Sequence, residues 1–318
     1  MTTLFEQLVF SASVTGPICL MLFLGVFLKR IKLINENFID VASKIVFQVT
    51  LPAMLFLSIV QSEHDFSTSG SLVIFGLVIN ALFFVFTTIM TKQAFPNPKD
   101  QGVIIQGGFR ANTAIIGLAY VAKLYGDSGV ALAAVYVAST TVLYNIQAVI
   151  ALSPSEKGFG PKALSVIGKT LTRNPLIISI MLGVLAYALS LPIPKMALDA
   201  GQYFADMTLP LALLCTGGSL NVQSLRHDKL PTWFATGFKL VLAPLTATLA
   251  AIALGYQGQQ LGLIFLMTAA PTAAASYVMA RAMGGNSTLA ANIIALTTIL
   301  SLVTCTFGIF LLTRFQLM

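Results

Sequence analysis

Arg110 and Asn112 stand inside an otherwise apolar stretch, behind Gln106-Gly107-Gly108-Phe109 and ahead of Thr113 and Gly117. A guanidinium well inside a membrane span costs at least about 2.5–3.5 kcal/mol, so it must meet water, a partner or a ligand. Its planar fork suits a carboxylate. A structural pair with a buried acid, or reach to the nearby surface, would account for it equally. Asn112 offers donors and an acceptor at a weak point of a helix, with helix–helix hydrogen bonding as its plain alternative. A second weak stretch reads Thr268-Ala269-Ala270-Pro271-Thr272-Ala273-Ala274-Ala275-Ser276. Glycine, proline and small polar residues free backbone groups that survive in hydrocarbon only where they line a cavity or meet a ligand. Arg110, Asn112, Thr113, Pro271, Thr272 and Ser276 are therefore the candidate substrate-binding residues. The chemistry they suit is anion binding, since each half-helix N-terminus would favour negative charge by about 0.3–2 kcal/mol.

Asp206, four residues before Pro210, is an intramembrane acid. It reads as a proton-coupling candidate or as a fixed partner of Lys239 or Arg110. Tyr144, Asn145, Gln147 and Asn292 give their spans polar surface that could border the same cavity. Lys44 has Asp40 four residues earlier, which suggests a helix-surface ion pair. His64 and His227 fall in loops. A membrane enzyme needs a carboxylate cluster, a histidine pair or a nucleophile with a base, so no enzyme, cofactor or metal is expected.

The elements that must position these residues follow from composition. The chain has 318 residues, 57% hydrophobic and 9% charged, with mean hydropathy +0.88. Soluble domains carry about 25% charged residues, so a water-exposed globule is excluded. The apolar residues form ten blocks, at about 8–28, 38–60, 70–91, 102–125, 129–152, 174–191, 196–220, 231–255, 259–283 and 287–313, each long enough to cross a bilayer as helix. The fold class expected is an all-α integral membrane protein of ten transmembrane helices. Lys29, Arg30 and Lys32 follow the first block, the reverse of a cleavable signal. Cys19, Cys215 and Cys305 all lie in apolar blocks and read as small buried hydrophobes.

Basic residues divide unevenly between the two sides. One side receives Lys29, Arg30, Lys32, Lys92, Lys99, Lys157, Lys162, Lys169, Arg173, Arg226, Lys229 and Arg281; the other receives Lys123, Lys195 and Arg314. The bias puts both termini outside and the connection 153–173 in the cytoplasm, where Leu164, Ile167 and Leu171 suggest a short interfacial helix. The Asn286-Ser287-Thr288 sequon falls in a cytoplasmic turn and carries no meaning there. The net charge of +7 thus reflects topology and does not call for nucleic acid.

The halves resemble each other. Pro17 precedes Gly25 by eight residues, as Pro175 precedes Gly183; Pro52 follows Pro17 by thirty-five residues, as Pro210 follows Pro175. Leu132-Ala133-Ala134 with Thr140-Thr141 matches Leu289-Ala290-Ala291 with Thr297-Thr298. Residues 1–152 read as a first five-helix repeat, 153–173 as the connection and 174–318 as a second repeat. An odd number of spans per half inverts the second copy, with the interrupted helices four and nine in matching places, and inverted repeats underlie alternating access.

Several of these segments resemble the auxin efflux carrier family, which includes plant PIN carriers and bacterial malonate and malate permeases. Asn112-Thr113 with Gly117, Lys123, Tyr125 and Gly126 is similar to the plant carriers' Pro-Asn-Thr segment and its Lys-x-x-Tyr-Gly end. Pro271 with Arg281 ten residues on, Leu51-Pro52 and Arg173-Asn174-Pro175-Leu176 are also family-like. The resemblance implies a scaffold domain and a transport domain, broken helices crossing where an anion binds, and site roles for Asn112 and Pro271. Ala111 stands where the plant carriers have proline, so the first break is expected to be shallow and made by Gly107 and Gly108. The function expected is secondary transport of mono- or dicarboxylates such as malonate or malate, in the plasma membrane. The partners expected are the bilayer and a small organic anion, with a homodimer left open and no nucleic acid. The alternative is a cation-coupled symporter or exchanger like the bile-acid and sodium–proton carriers, whose paired intramembrane acids are not visible.

Overall fold

A computed structural model describes residues 4–61, 69–152, 174–220 and 229–318. Regular structure among these residues is helical, without a strand. In chain order the helices are α1 (Leu4–Arg30), α2 (Glu36–Val60), α3 (Ser69–Ala94), α4 (Pro98–Phe109), α5 (113–125), α6 (127–152), α7 (Pro175–Ala188), α8 (Lys195–Ser219), α9 (Lys229–Ala253), α10 (Gly258–Ala269), α11 (Ala275–Ala282) and α12 (Ser287–Arg314). Gly126, at φ 60 and ψ −153, separates α5 from α6; a left-handed φ is cheap only for glycine. His64, His227 and the expected interfacial helix at 153–173 lie outside the described residues.

Among the described residues, six segments are long and apolar enough to cross a membrane: Val9–Arg30, Glu36–Val60, Gly70–Ala94, Thr113–Leu152, Lys229–Ala253 and Ser287–Arg314. Pro175–Ala188 is apolar but shorter. The outer surface agrees with this. Leu20, Phe23 and Phe27 on α1, Ile74 and Leu82 on α3, and Val303 and Phe307 on α12 are all exposed, which suits lipid and not water.

Local chemistry sets the helix ends. Asn35, Asn97, Asn174 and Asn286 each cap a helix through the side-chain oxygen, and Pro98 and Pro175 occupy first-turn positions where their missing N–H costs nothing. Asp100 joins two of these caps, accepting from Asn97 at 2.7 Å and from Asn286 at 2.9 Å. It thereby ties the start of α4 to the start of α12. Inside α2 and α9, π turns at Val46–Thr50 and Phe238–Leu242 precede Pro52 and Pro244. A proline cannot donate to the residue four back and crowds its carbonyl; a wider turn relieves both problems.

Helix α1 packs chiefly on α8, and α2 on α7 and α8. Helices α3, α4 and α6 pack together, and α9 packs on α10, α4 and α12. The α1–α8 contact is backbone on backbone: a Cβ on Gly217 would meet the carbonyl of Leu22, and one on Gly25 would meet the carbonyl of Leu214. Small residues allow this approach, which is how helices associate where no hydrophobic force separates protein from solvent. Asp40 and Lys44 do not form the expected ion pair; both are exposed, and Lys29 instead bonds Glu36 at 2.7 Å across the α1–α2 turn. An exposed pair in water gains little from a single contact, which leaves the two side chains free of each other.

Gly217→Ala should destabilise the detergent-solubilised protein by about 1–3 kcal/mol, the cost of overpacking, seen as a lower melting temperature. Gly16→Ala, where a Cβ meets nothing within 4 Å, should leave it unchanged or slightly raised.

Candidate functional site

Two helices end facing each other in the interior. Helix α4 stops at Phe109 and the chain runs extended through Arg110 (φ −78, ψ 105) to Asn112 before α5 begins. Helix α10 stops at Ala269 and the chain stays irregular until α11 begins at Ala275. The two interruptions pair with each other. Asn112 N–H donates to the Pro271 carbonyl at 2.7 Å and Ala273 N–H to the Arg110 carbonyl at 3.1 Å, making an antiparallel bridge between Ala111 and Thr272.

The expected position of the first break needs correcting. Gly107 and Gly108 are helical, and the break falls at Arg110–Asn112. The glycines serve packing: a Cβ on Gly107 would meet Ile293 at 2.8 Å and one on Gly108 would meet Thr87 at 2.9 Å.

Carbonyls freed at the breaks find donors. Thr272 Oγ1 donates to the Gly107 carbonyl at 2.7 Å, while Thr272 N–H donates to Thr297 Oγ1 at 3.2 Å. Lys239 Nζ donates to the Thr268 carbonyl at 2.7 Å. Neither helix start has a side-chain cap: Asn112 does not cap α5 and Ala274 does not cap α11. On α11 the main chain meets part of the need, Ser276 N–H donating to the Ala273 carbonyl at 2.9 Å and Tyr277 N–H to the Ala274 carbonyl at 3.2 Å. Ser276, buried at the start of α11, has a hydroxyl without a hydrogen-bond partner.

Arg110 is buried, 7% exposed, and its partners are all neutral. Nη2 donates to Asn145 Oδ1 at 2.9 Å and Nη1 to Met279 Sδ at 2.7 Å. With the Gln106 carboxamide in the orientation that satisfies both its ends, its oxygen accepts from Arg110 Nη1 at 3.3 Å and its nitrogen donates to the Ser276 carbonyl at 3.2 Å. Both the buried-acid pairing and the reach to the surface considered from sequence are therefore absent.

The site thus gathers Arg110, Asn112, Thr113, Pro271, Thr272 and Ser276, all buried. It does not gather Asp206. That carboxylate is on the exposed face of α8, accepts from Gln202 one turn earlier at 2.7 Å, and pairs with neither Arg110 nor Lys239. Which face of α8 turns inward depends on its packing against α1 and α2, which sequence position alone does not reveal.

Two participants had no role assigned from sequence. Lys239 is 1% exposed, set in the π turn of α9. Asn80 of α3 accepts from Tyr144 at 2.9 Å and donates to Tyr136 at 3.3 Å and to the Gly76 carbonyl at 2.7 Å, and Gln147 donates to its carbonyl at 3.4 Å. The signal for Lys239 was present, a lone charge among Phe238, Leu240, Val241 and Leu242. A cavity of about 10 Å³, close to one water, lies between Lys239, Asn80, Thr268, Ile79, Phe83, Ala243 and Ala247. Among the described residues the buried charged side chains are Arg110 and Lys239, both cations.

A model of the membrane transport protein family, which contains the auxin efflux carriers, matches residues 15–309. The chain belongs to this family. An uncharacterized transporter of Methanothermobacter thermautotrophicus is 23% identical over 290 residues, covering 90% of this chain and 93% of that protein. An uncharacterized transporter of Methanocaldococcus jannaschii is 22% identical over 294 residues, with the same shares covered. The match spans both interruptions, so they belong to the family-wide part of the chain. Membership makes this a membrane-embedded transport protein and not an enzyme.

Thr272→Val would leave the Gly107 carbonyl without its donor and should cost about 1–3 kcal/mol of stability, the price of an unmet buried acceptor. Thr272→Ser should retain the wild-type melting temperature to within a small margin.

Proposed function

We propose that the protein is a secondary carrier of small organic anions, mono- or dicarboxylates such as malonate or malate, working by alternating access. The observation that carries this reading is electrostatic. Arg110 is buried among neutral partners only, and no buried side chain among the described residues is acidic. An uncompensated guanidinium in hydrocarbon is costly, and a carboxylate arriving at it removes that cost. The helix starts at Thr113 and Ala275 have no side-chain cap and lie at the same crossing, which puts two positive dipole ends there. Asn112, Thr113, Thr272 and the unpartnered hydroxyl of Ser276 complete a polar lining for the substrate.

The architecture that goes with this reading is ten spans in two inverted five-helix repeats, 1–152 and 174–318, joined by a cytoplasmic segment and with both termini outside the plasma membrane. Each interrupted pair, α4–α5 and α10–α11, then counts as one span. Supporting it, the contact of α1 with α8 and that of α7 with α2 are the same contact once the halves are exchanged, and Gly25 and Gly183 sit in matching places within them. The mutual pairing of Ala111 and Thr272 has the same two-fold character. Helices α1, α2, α7 and α8 make the scaffold and the remainder the moving part.

The cavity beside Lys239 holds about one water, and on this reading relative movement of the two groups of helices opens the way for a substrate. Export of a monoanion gains about 2.3 kcal/mol per 100 mV with the inside negative, and needs no coupling ion. The cation-coupled alternative finds less support, because the paired buried carboxylates of such exchangers have no counterpart here: the buried charges described have the opposite sign.

Counterflow of labelled malonate and malate in proteoliposomes tests the proposal. Arg110→Gln is expected to slow it at least about tenfold, the effect of removing one partner of a buried charge pair, and Arg110→Lys to recover part of the rate. Wild-type rates in Arg110→Gln would remove the guanidinium from the site.

A further inference from the structure

Lys239 is more than the cap it provides. Its ammonium has three donors, and the Thr268 carbonyl takes one. That carbonyl belongs to the last turn of α10, the matching carbonyl of α4 is that of Gly107, and there a neutral hydroxyl from Thr272 does the same work at the same 2.7 Å. The fold therefore closes one interrupted helix without a charge, and closing the other does not require one.

The charge of Lys239 is left unanswered by its surroundings. The cavity beside it is lined by Asn80, Thr268 and apolar groups. Helix α10 has no ionisable side chain. On α4, Lys99 and Asp100 lie at the far, capped end, where Asp100 is held by Asn97 and Asn286. On α12 the ionisable groups are Cys305 and the terminal Arg314; α3 has Lys92 in its last turn, and α6 has Asp127, exposed at its first residue, besides Tyr136 and Tyr144, both bonded to Asn80.

A neutral polar seam connects Lys239 to Arg110. Asn80 shares the cavity with Lys239 and accepts from Tyr144, and the next residue, Asn145, accepts from Arg110. Nothing along the seam offsets either charge.

We infer that Lys239 is a second cationic anchor of the substrate site and makes it selective for a doubly charged anion, one carboxylate meeting Arg110 and the other Lys239. This rests on the anion-carrier reading and narrows it from organic anions in general to dicarboxylates. The second carboxylate reaches Lys239 through the cavity that Asn80 and Thr268 share with it, which widens as the substrate seats. The π turn of α9 sets Lys239 at that position, four residues before Ala243 and five before Pro244.

The test compares each of malonate, succinate and glutarate with its own monoamide, which has nearly the same shape and one charge fewer, by calorimetric binding to the purified full-length protein. Wild type is expected to bind at least one diacid about tenfold or more tighter than its monoamide. Lys239→Gln should erase that preference by weakening the diacid alone, and Lys239→Arg should keep it. Equal affinities within every wild-type pair, a comparison that needs no variant, would overturn the inference and leave the anion-carrier reading standing. So would equal weakening of diacid and monoamide by Lys239→Gln, the pattern of a residue that only caps α10. Binding of neither member of any pair would overturn the carboxylate reading and this inference together.

Discussion

A peptide group in hydrocarbon must find a hydrogen-bond partner inside the protein, because no water is there to supply one. The rest of this structure depends on how two interrupted helices meet that requirement. Neither could be broken alone. The amide of Asn112 uses the carbonyl of Pro271, and the amide of Ala273 uses that of Arg110, so each interruption provides what the other lacks. The carbonyls left over recruit side chains, Thr272 for Gly107 and Lys239 for Thr268. Only then can two helix starts without side-chain caps lie together in the interior.

Charge is distributed on this frame unevenly. The two buried cations sit against amides, hydroxyls and a thioether, while the acids described are at helix ends or on the outer surface. A folded protein has no evident gain from leaving such a field unbalanced, given what burial of each cation costs. On the proposed reading, a ligand of opposite sign would give the arrangement its purpose.

Much of this was legible from the amino acids. Hydropathy marks the spans because lipid demands it, and clusters of glycine, proline and small polar residues mark the interruptions because they weaken helices. The match was imperfect where packing overrode propensity. Gly107 and Gly108 looked like the break, yet close contact with Ile293 and Thr87 keeps them helical, and the chain opens instead where Arg110 and Asn112 find partners across the crossing. Asp206 looked central from its place in the sequence but faces outward, since depth along a helix says nothing about which side is buried. Lys239 was visible as a charge, but its bond to Thr268 could not be read from a position twenty-nine residues away.

The bridge between Ala111 and Thr272 has a mechanical consequence. Sliding one interrupted segment past the other would strip two main-chain bonds in a medium that offers no replacement, at several kcal/mol for each group left bare. The two segments are in effect riveted. On the proposed carrier reading, whatever displacement carries one toward either face of the bilayer carries its mate by the same distance, and a cargo bound between them would travel as the passenger of a rigid cradle.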